Sequence, residues 1–495
     1  MVDTGAITCQ EKTILCSHLI PIREVKDTHS STINPLDFFV ELVTMPRLFG
    51  TDGIRGIANS YPMTAEVALK VGRAVADLCS KEGRQARIVI GQDTRQSGDM
   101  IAHALVAGVC SAGADAELVG VLPTPGVALV TRRTGASAGI VVSASHNPYQ
   151  DNGIKVFGSD GFKLSDAKEA EIEDMVISGK TAESCSSKVS EVGRVRFNSE
   201  APRAYVDFLK TCTSIGSTRV NGFKIILDCA NGATWQVAPR LFSELGASPE
   251  ALHVTPDGKN INFKCGSQHP ESLAQRVLSR KADVGLAFDG DGDRLIAVDD
   301  TGEVVSGDRI LAVCARHLLS QSRLRNNTVV STVMSNVGLS RAFKDMGVRH
   351  LTTQVGDRYV MEAMRASGAV LGGEDSGHMI FAEHHTTGDG LLTALMLIEA
   401  IQAQSNALSQ LKLIMTPFPQ ILMNVPVKSK PRLDDVPNVR DAIRNVESEL
   451  GESGRVLVRY SGTESLCRVM VEGPTEEKTR RLCREIADEI TRELG

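Results

Sequence analysis

The chain has 495 residues, room for three or four domains at roughly 100–200 residues each. Hydrophobic residues make up 42% and charged residues 23%, which excludes a mainly disordered chain, and aromatics at 4% exclude an extended base-stacking or sugar-stacking surface. Lys plus Arg total 54 against 60 acids, a net charge of −6, so general nucleic-acid binding is disfavoured and a basic site for an anionic substrate has to be local.

Residues 1–44 carry mixed charges and one short apolar run at 36–43, with neither the basic start and continuous apolar core of a secretory signal nor the acid-poor character of a transit peptide. They read as a poorly packed extension, with Met45 as the natural start. Beyond it, strands and helices alternate. Helical spacing is predicted over 65–78 and 102–112, and buried strands over 87–90, 118–122 and 139–143. The same grammar returns with strands over 224–228, 284–288 and 329–333. Alternation of this kind predicts an α/β fold with helices over largely parallel sheets, repeated in several similar units. The tail differs, with strands over 425–427, 455–458 and 468–471. A helix follows, with Thr475 as N-cap, Glu476 and Glu477 at its positive end, and a stripe of Leu482, Ile486 and Ile490. The expected division is an extension over 1–44, three similar α/β domains with mixed sheets over 45–197, 198–301 and 302–414, and a C-terminal α+β domain over 415–495.

The 11 cysteines are scattered, without a C-x-x-C pair, and read as reduced thiols of a cytoplasmic protein. No stretch reaches the ~18 apolar residues of a membrane span.

Four polar loops carry the chemistry. Ser143-Ala144-Ser145-His146-Asn147-Pro148 follows a buried strand, which puts Ser145 at the carboxyl edge of a sheet, where α/β ligands bind. A turn merely capped by Ser145 and His146 is the plain alternative. Asp289-Gly290-Asp291-Gly292-Asp293-Arg294 places three carboxylates at alternate positions, which repel one another unless a cation holds them; oxygen ligands alone suit Mg²⁺. An EF-hand would need Gly where Arg294 stands and Glu where Asp300 stands. Gly372-Gly373-Glu374-Asp375-Ser376-Gly377-His378 offers Glu374 and Ser376 to sugar hydroxyls and His378 to proton exchange, unless His378 is structural. Arg459-Tyr460-Ser461-Gly462-Thr463-Glu464, with Arg468 beyond, reads either as a phosphate cradle or as a surface hairpin.

Together and in this order the loops resemble the α-D-phosphohexomutase family. Gly50-Thr51-Asp52-Gly53-Ile54-Arg55-Gly56 and the segments 160–166, 355–359, 386–390 and 468–472 are similar to its branch that handles glucosamine phosphates. The likeness runs from about Met45 to the C-terminus. It implies four domains around one central cleft, bound Mg²⁺, and interconversion of glucosamine 6-phosphate and glucosamine 1-phosphate on the route to UDP-N-acetylglucosamine. It also implies phosphorylation of Ser145, with Asp289, Asp291, Asp293 and the phosphoserine oxygen around Mg²⁺. Glu374 and Ser376 would hold the sugar, and Arg459, Ser461, Gly462, Thr463 and Arg468 the phosphate that is not transferred, with Arg55 and Arg358 also binding substrate. Asp375, Tyr460 and Ser465 depart from the residues usual in that branch, which bears on sugar preference and on the rigidity of the phosphate loop.

The implied cycle passes the phosphoryl group of Ser145 to a substrate hydroxyl, gives a 1,6-bisphosphate, and returns the other phosphate to Ser145. Arg294 and Lys155, with Mg²⁺, would neutralise charge, and either Lys155 or His378 would take the hydroxyl proton. The expected partner is a small phosphosugar, with no nucleic acid and no membrane, and a homodimer is the expected assembly. A phosphomannomutase/phosphoglucomutase is the alternative within the class. An aspartyl phosphatase built on Asp289 and Asp291 would leave the Ser145 and Arg459 loops unexplained, and a non-catalytic sugar-phosphate sensor predicts a decayed metal trio or a missing serine, whereas every element is intact here.

Overall fold

In the computed structural model, residues 47–50, 52–80, 85–179, 192–213, 220, 222–461 and 465–495 are described. The expectations for residues 1–44, and those for Gly462 and Thr463, lie outside them. The described residues form four successive sheets. The first contains β1 (Ile54–Ile57), β2 (Arg87–Gln92), β3 (Asp115–Val121), β4 (Ala138–Val142), β5 (Asp151–Gly158) and β6 (Val195–Phe197), in the order β1-β5-β4-β2-β3-β6. The second contains β7 (Ile225–Asp228), β8 (Glu250–Leu252), β9 (Val284–Phe288), β10 (Leu295–Asp299) and β11 (Val304–Val305), in the order β11-β10-β9-β7-β8. In the third, β12 (Thr328–Thr332), β13 (Arg349–Thr353), β14 (Leu371–Gly373) and β15 (Met379–Phe381) run β13-β12-β14-β15. The fourth is β16 (Gln420–Pro426), β17 (Arg455–Tyr460) and β18 (Leu466–Glu472), ordered β16-β18-β17.

The first three sheets share one plan. The runs β5-β4-β2-β3, β10-β9-β7-β8 and β15-β14-β12-β13 each consist of one antiparallel strand beside three mutually parallel strands. The parallel strands β4, β7, β9 and β12 are buried at every position, as strands covered on both faces must be. The sheets are thus largely parallel, each with one antiparallel strand, which is the mixed arrangement expected. A short loop can join only antiparallel neighbours, whereas parallel strands need a crossover. Each of the four chemically rich loops joins such an antiparallel pair: β4 to β5, β9 to β10, β14 to β15 and β17 to β18.

The helix Gly390–Gln404 is apolar around its whole circumference because it is core. Its N-cap Asp389 accepts the Leu392 amide at 3.0 Å, and the Gly390 amide donates to Gly292 O at 3.0 Å, which ties the helix start to the Asp loop. Val89, Phe157, Leu227, Phe288, Phe343 and Leu395 belong to one core that runs through the first three sheets. The fourth sheet packs separately, around Val469 and the Leu482, Ile486 and Ile490 stripe of helix Glu476–Leu494, whose N-cap Thr475 accepts the Lys478 amide. No single helix among the described residues is long and apolar enough to cross a membrane.

Candidate active site

The loop after β4 is held by two residues at the end of β2. The Arg95 guanidinium donates to Asp93 Oδ2 at 2.8 Å, Ser145 O at 2.9 Å, Asn147 O at 2.8 Å and Asp151 O at 3.0 Å. Ser143 Oγ donates to Asp93 Oδ2 at 2.5 Å and accepts the Ser145 amide at 2.9 Å. Asn262, from the second sheet's loops, adds donation to Ser145 O at 2.9 Å and Asn147 O at 3.0 Å. So many fixed partners hold Ser145 at φ 52°, a left-handed conformation that a non-glycine residue keeps only when its surroundings impose it. Ser145 is 1% exposed, so it is not a surface-loop hydroxyl. Its Oγ donates to Asp289 Oδ2 at 2.6 Å and lies 3.3 Å from His146 Nδ1. Burial, then Arg294 and Arg55, lowers His146 to about 4, so that imidazole is neutral at physiological pH.

The loop between β9 and β10 brings Asp289, Asp291 and Asp293 together, with one carboxylate oxygen from each within 4.8 Å of the others. Gly290 permits the approach to Ser145: a Cβ there would lie 2.5 Å from Ser145 O. Burial, then Asp293 and Asp291, pushes Asp289 well above the usual carboxylate range. At Asp291, burial and Asp293 act in the same upward direction. Lys155 Nζ, 2.8 Å from Oδ2, and Thr124 Oγ1, 2.7 Å from it, outweigh them and hold that carboxyl below its ordinary value. Asp291 Oδ1 and Asp293 Oδ1 are buried without hydrogen-bond partners. Three converging carboxylates, two of which carry an orphaned oxygen, fit a hard divalent cation.

Lys155 lies opposite Val141 on β5 and also faces Asp293 Oδ2 at 3.6 Å. Burial opposes its charge, but Asp291 and Asp293 prevail and raise its pKa. It therefore keeps its proton, and neutralising charge suits it better than accepting a proton. His378 Nδ1 is 3.5 Å from Asp293 Oδ2, and its Nε2 accepts the Gly388 amide at 3.2 Å. Burial disfavours the imidazolium, and Asp293 and Asp357 more than offset that. The Gly388 amide points at Nε2 and Asp293 stands at Nδ1, so both ring nitrogens are engaged by the protein. Neither of the two expected proton acceptors is free to act as one in this arrangement.

A cavity of 190 Å³ opens on this centre, lined by Ser145, Lys155, Asp293, Arg294, Glu374 and His378 together with Asp52, Arg55 and the segment 355–357. Basic residues do gather here, but beside four acids rather than alone. Gly356 N donates to Glu374 Oε1 at 3.2 Å, and burial raises that carboxyl. Ser376 Oγ is buried without a partner, but Ser376 does not line the cavity. Arg358 turns instead into a neighbouring cavity, where Asp166 and Glu169 hold its guanidinium. Arg459, Ser461 and Arg468 are likewise not among the lining residues. Arg459 and Arg468 stand opposite each other on β17 and β18, and Lys430 Nζ donates to Ser461 O at 2.7 Å. Burial, then Arg468, lowers the pKa of Arg459.

Thr124, Asp93, Arg95 and Asn262 were not singled out from the sequence, and neither was Lys163, which bridges Asp357 Oδ2 at 2.5 Å and Asp52 Oδ1 at 3.4 Å behind the cavity. A signal existed for one pair: Asp93 and Arg95 follow an apolar strand, as the four chosen loops do.

Family models match the chain in four consecutive parts described as phosphoglucomutase/phosphomannomutase domains: alpha/beta/alpha domain I over 46–183, domain II over 203–302, domain III over 306–418 and the C-terminal domain over 422–489. The phosphoglucosamine mutase of Syntrophus aciditrophicus is 54% identical over 451 residues, covering 91% of this chain and all of that protein. That of Syntrophobacter fumaroxidans is 53% identical over the same share of this chain and all of its own length. Among solved structures, a phosphoglucomutase/phosphomannomutase family protein from Burkholderia thailandensis shares the fold with a TM-score of 0.73 at 24% identity, covering 90% of this chain and 97% of that one. N-acetylphosphoglucosamine mutase of Aspergillus fumigatus does so with 0.62 at 17%, covering 90% and 96%. With three sheets of one plan, a serine held against a carboxylate trio and all four domain models in register, this chain belongs to the phosphoglucomutase/phosphomannomutase family.

Proposed function

We propose that this chain is a phosphoglucosamine mutase, interconverting glucosamine 6-phosphate and glucosamine 1-phosphate through a phosphorylated Ser145. The observation that carries it is the Ser145 hydroxyl, 2.6 Å from Asp289 in a cavity ringed by Arg55, Lys155 and Arg294. Phosphoryl transfer depends on position and charge neutralisation more than on covalent chemistry, and this is what the site offers. Identity above one half to relatives named for this activity favours glucosamine phosphates over glucose and mannose phosphates.

The bond from phosphorus to Ser145 Oγ breaks as one forms to the free sugar hydroxyl; that hydroxyl gives up a proton and Ser145 Oγ regains one, returning to the hydroxyl that donates to Asp289. The resulting 1,6-bisphosphate turns over, and its other phosphate returns to Ser145. Lys155 and Arg294 balance phosphate charge, and Glu374 and Ser376 accept and donate to sugar hydroxyls. Asp289, Asp291 and Asp293 would hold Mg²⁺, which supplies further neutralisation of the phosphoryl oxygens when bound. Arg459, Ser461 and Arg468 are assigned to the phosphate that is not transferred, because two arginines in register on neighbouring strands offer planar two-bond donors to an anion. A charged sugar phosphate does not cross a bilayer unaided, which favours a cytoplasmic location.

The test compares kcat/KM for glucosamine 6-phosphate, glucose 6-phosphate and mannose 6-phosphate, with labelled bisphosphate used to find the phosphorylated residue. Highest kcat/KM for the amino sugar and label on Ser145 are expected. A preference for glucose or mannose phosphate would make the enzyme a phosphoglucomutase or phosphomannomutase, and label on an aspartate would remove the serine mechanism.

A further inference from the structure

Outside the carboxylate trio, one more group of metal-ligand side chains converges among the described residues: Asp228, His253 and Cys265, with one ligand atom of each within 4.8 Å of the others. Asp228 ends β7, and His253 follows the end of β8, its parallel neighbour, so the sheet brings the two together. The backbone then fixes the third. Asp228 Oδ2 accepts the Gly266 amide at 2.9 Å, which sets Cys265 beside the carboxylate, while Oδ1 accepts the Ala230 amide at 2.9 Å. Asn231 N donates to His253 O at 2.8 Å.

Two features go beyond a buried polar cluster. His253 Nδ1 lies 2.9 Å from Asp228 Oδ1, a contact in which a cation can take the place of the proton between them. Ala230, Asn231, His253 and Lys264, all non-glycine, are held at φ 52°, 48°, 52° and 52° around this one point, a concentration of left-handed backbone that ordinary turns do not require. One imidazole, one thiol and one carboxylate suit a borderline cation such as zinc, whereas Mg²⁺ takes oxygen alone. Tetrahedral zinc needs ligand atoms roughly 3.3–3.8 Å apart, a spacing inside the 4.8 Å that bounds this group. Cys265 and Asp228 are fully buried and His253 is half-exposed, so a fourth position faces solvent on the histidine side.

We propose that Asp228, His253 and Cys265 form a binding site for a zinc-class divalent cation, separate from the carboxylate trio, whose occupant braces the loop that carries Ser145. The path is short. Asn262, three residues before Cys265, donates from its backbone to Ala230 O at 2.9 Å and from its side chain to Ser145 O at 2.9 Å. Ala233 N, five residues beyond Asp228, donates to Gly290 O at 2.8 Å in the Asp loop. The inference does not depend on which sugar phosphate is the substrate.

Co²⁺ is the probe, titrated into the full-length protein in saturating Mg²⁺ so that the carboxylate trio is occupied. A thiolate-to-cobalt charge-transfer band should appear with visible absorption of a four-coordinate ion, saturate at one ion per chain, and be displaced by Zn²⁺. Cys265→Ser should abolish the band. His253→Gln, at a half-exposed side chain, should keep the fold by circular dichroism and weaken binding by at least about tenfold, and it decides the matter if Cys265→Ser does not fold. Zn²⁺ should raise Tm in the wild type and not in His253→Gln. Absence of the band in the wild type, or a band of unchanged affinity in His253→Gln, overturns the site.

Discussion

The centre around Ser145 and the strand pair bearing Arg459 and Arg468 meet opposite electrostatic demands. At the centre, buried carboxylates face Lys155 and Arg294, so charge is largely balanced within the protein before substrate arrives. On the fourth sheet two guanidiniums face each other, and after burial it is Arg468 that depresses the Arg459 pKa. Packing follows the same division. The first three sheets share one core, while the fourth has its own and meets the third through polar contacts: Arg455 donates to Val333 O at 2.9 Å and Ser335 O at 2.8 Å, and Glu472 accepts the Val337 amide at 2.9 Å. A buried site must be prebuilt, because unpaired charge there is costly; a half-buried one keeps its charge where solvent still reaches it.

Substitutions can break this contrast, and the largest effect is expected at Ser145. Ser145→Ala should abolish mutase turnover. Because the hydroxyl is buried and donates to Asp289, the variant should also lose about 1–3 kcal/mol of stability, read from denaturant unfolding. Undiminished turnover would show that the centre does not work through this residue.

Arg459→Ala should leave Tm nearly unchanged and lower kcat/KM roughly 10–150-fold, the equivalent of one charged hydrogen bond of ~1.5–3 kcal/mol. Arg459→Lys should recover only part, since a point charge lacks the planar two-bond grip. More bisphosphate should escape per turnover, and added bisphosphate should rescue part of the rate. Wild-type kinetics in both variants would remove the strand pair from substrate binding.

The smallest effect sharpens the electrostatics of the centre itself. Without metal, burial and the neighbouring Asp293 and Asp291 raise the Asp289 pKa, yet a cation binds the carboxylate form. Cation binding should therefore expel a proton. Affinity should rise with pH until that raised pKa is passed and fall as pH drops below it, by up to about tenfold per pH unit. Calorimetry of Mg²⁺ binding in two buffers of different ionisation enthalpy measures the released proton, and Asp289→Asn should eliminate the release. Equal heats in both buffers would show that Asp289 is already ionised.

The sequence by itself determined what is local. Apolar runs ending in Ser, Asp and Gly placed the strands before Ser145 and Asp289, and Thr475 with its Leu482, Ile486 and Ile490 stripe fixed the last helix, since periodicity and capping act over a few residues. Sheet order alone decided the rest. Thr124 reaches Asp291 across 167 positions, and Arg95 reaches the Ser145 carbonyl across 50, so neither contact leaves a mark in a short window of sequence. The same holds for the burial of Ser145, for the turning of Arg358 towards Asp166 and Glu169, and for the meeting of Asp228, His253 and Cys265, whose spacing fits no metal motif. Such contacts exist because strands distant in the chain lie side by side, and their ends bring together side chains that no periodicity relates.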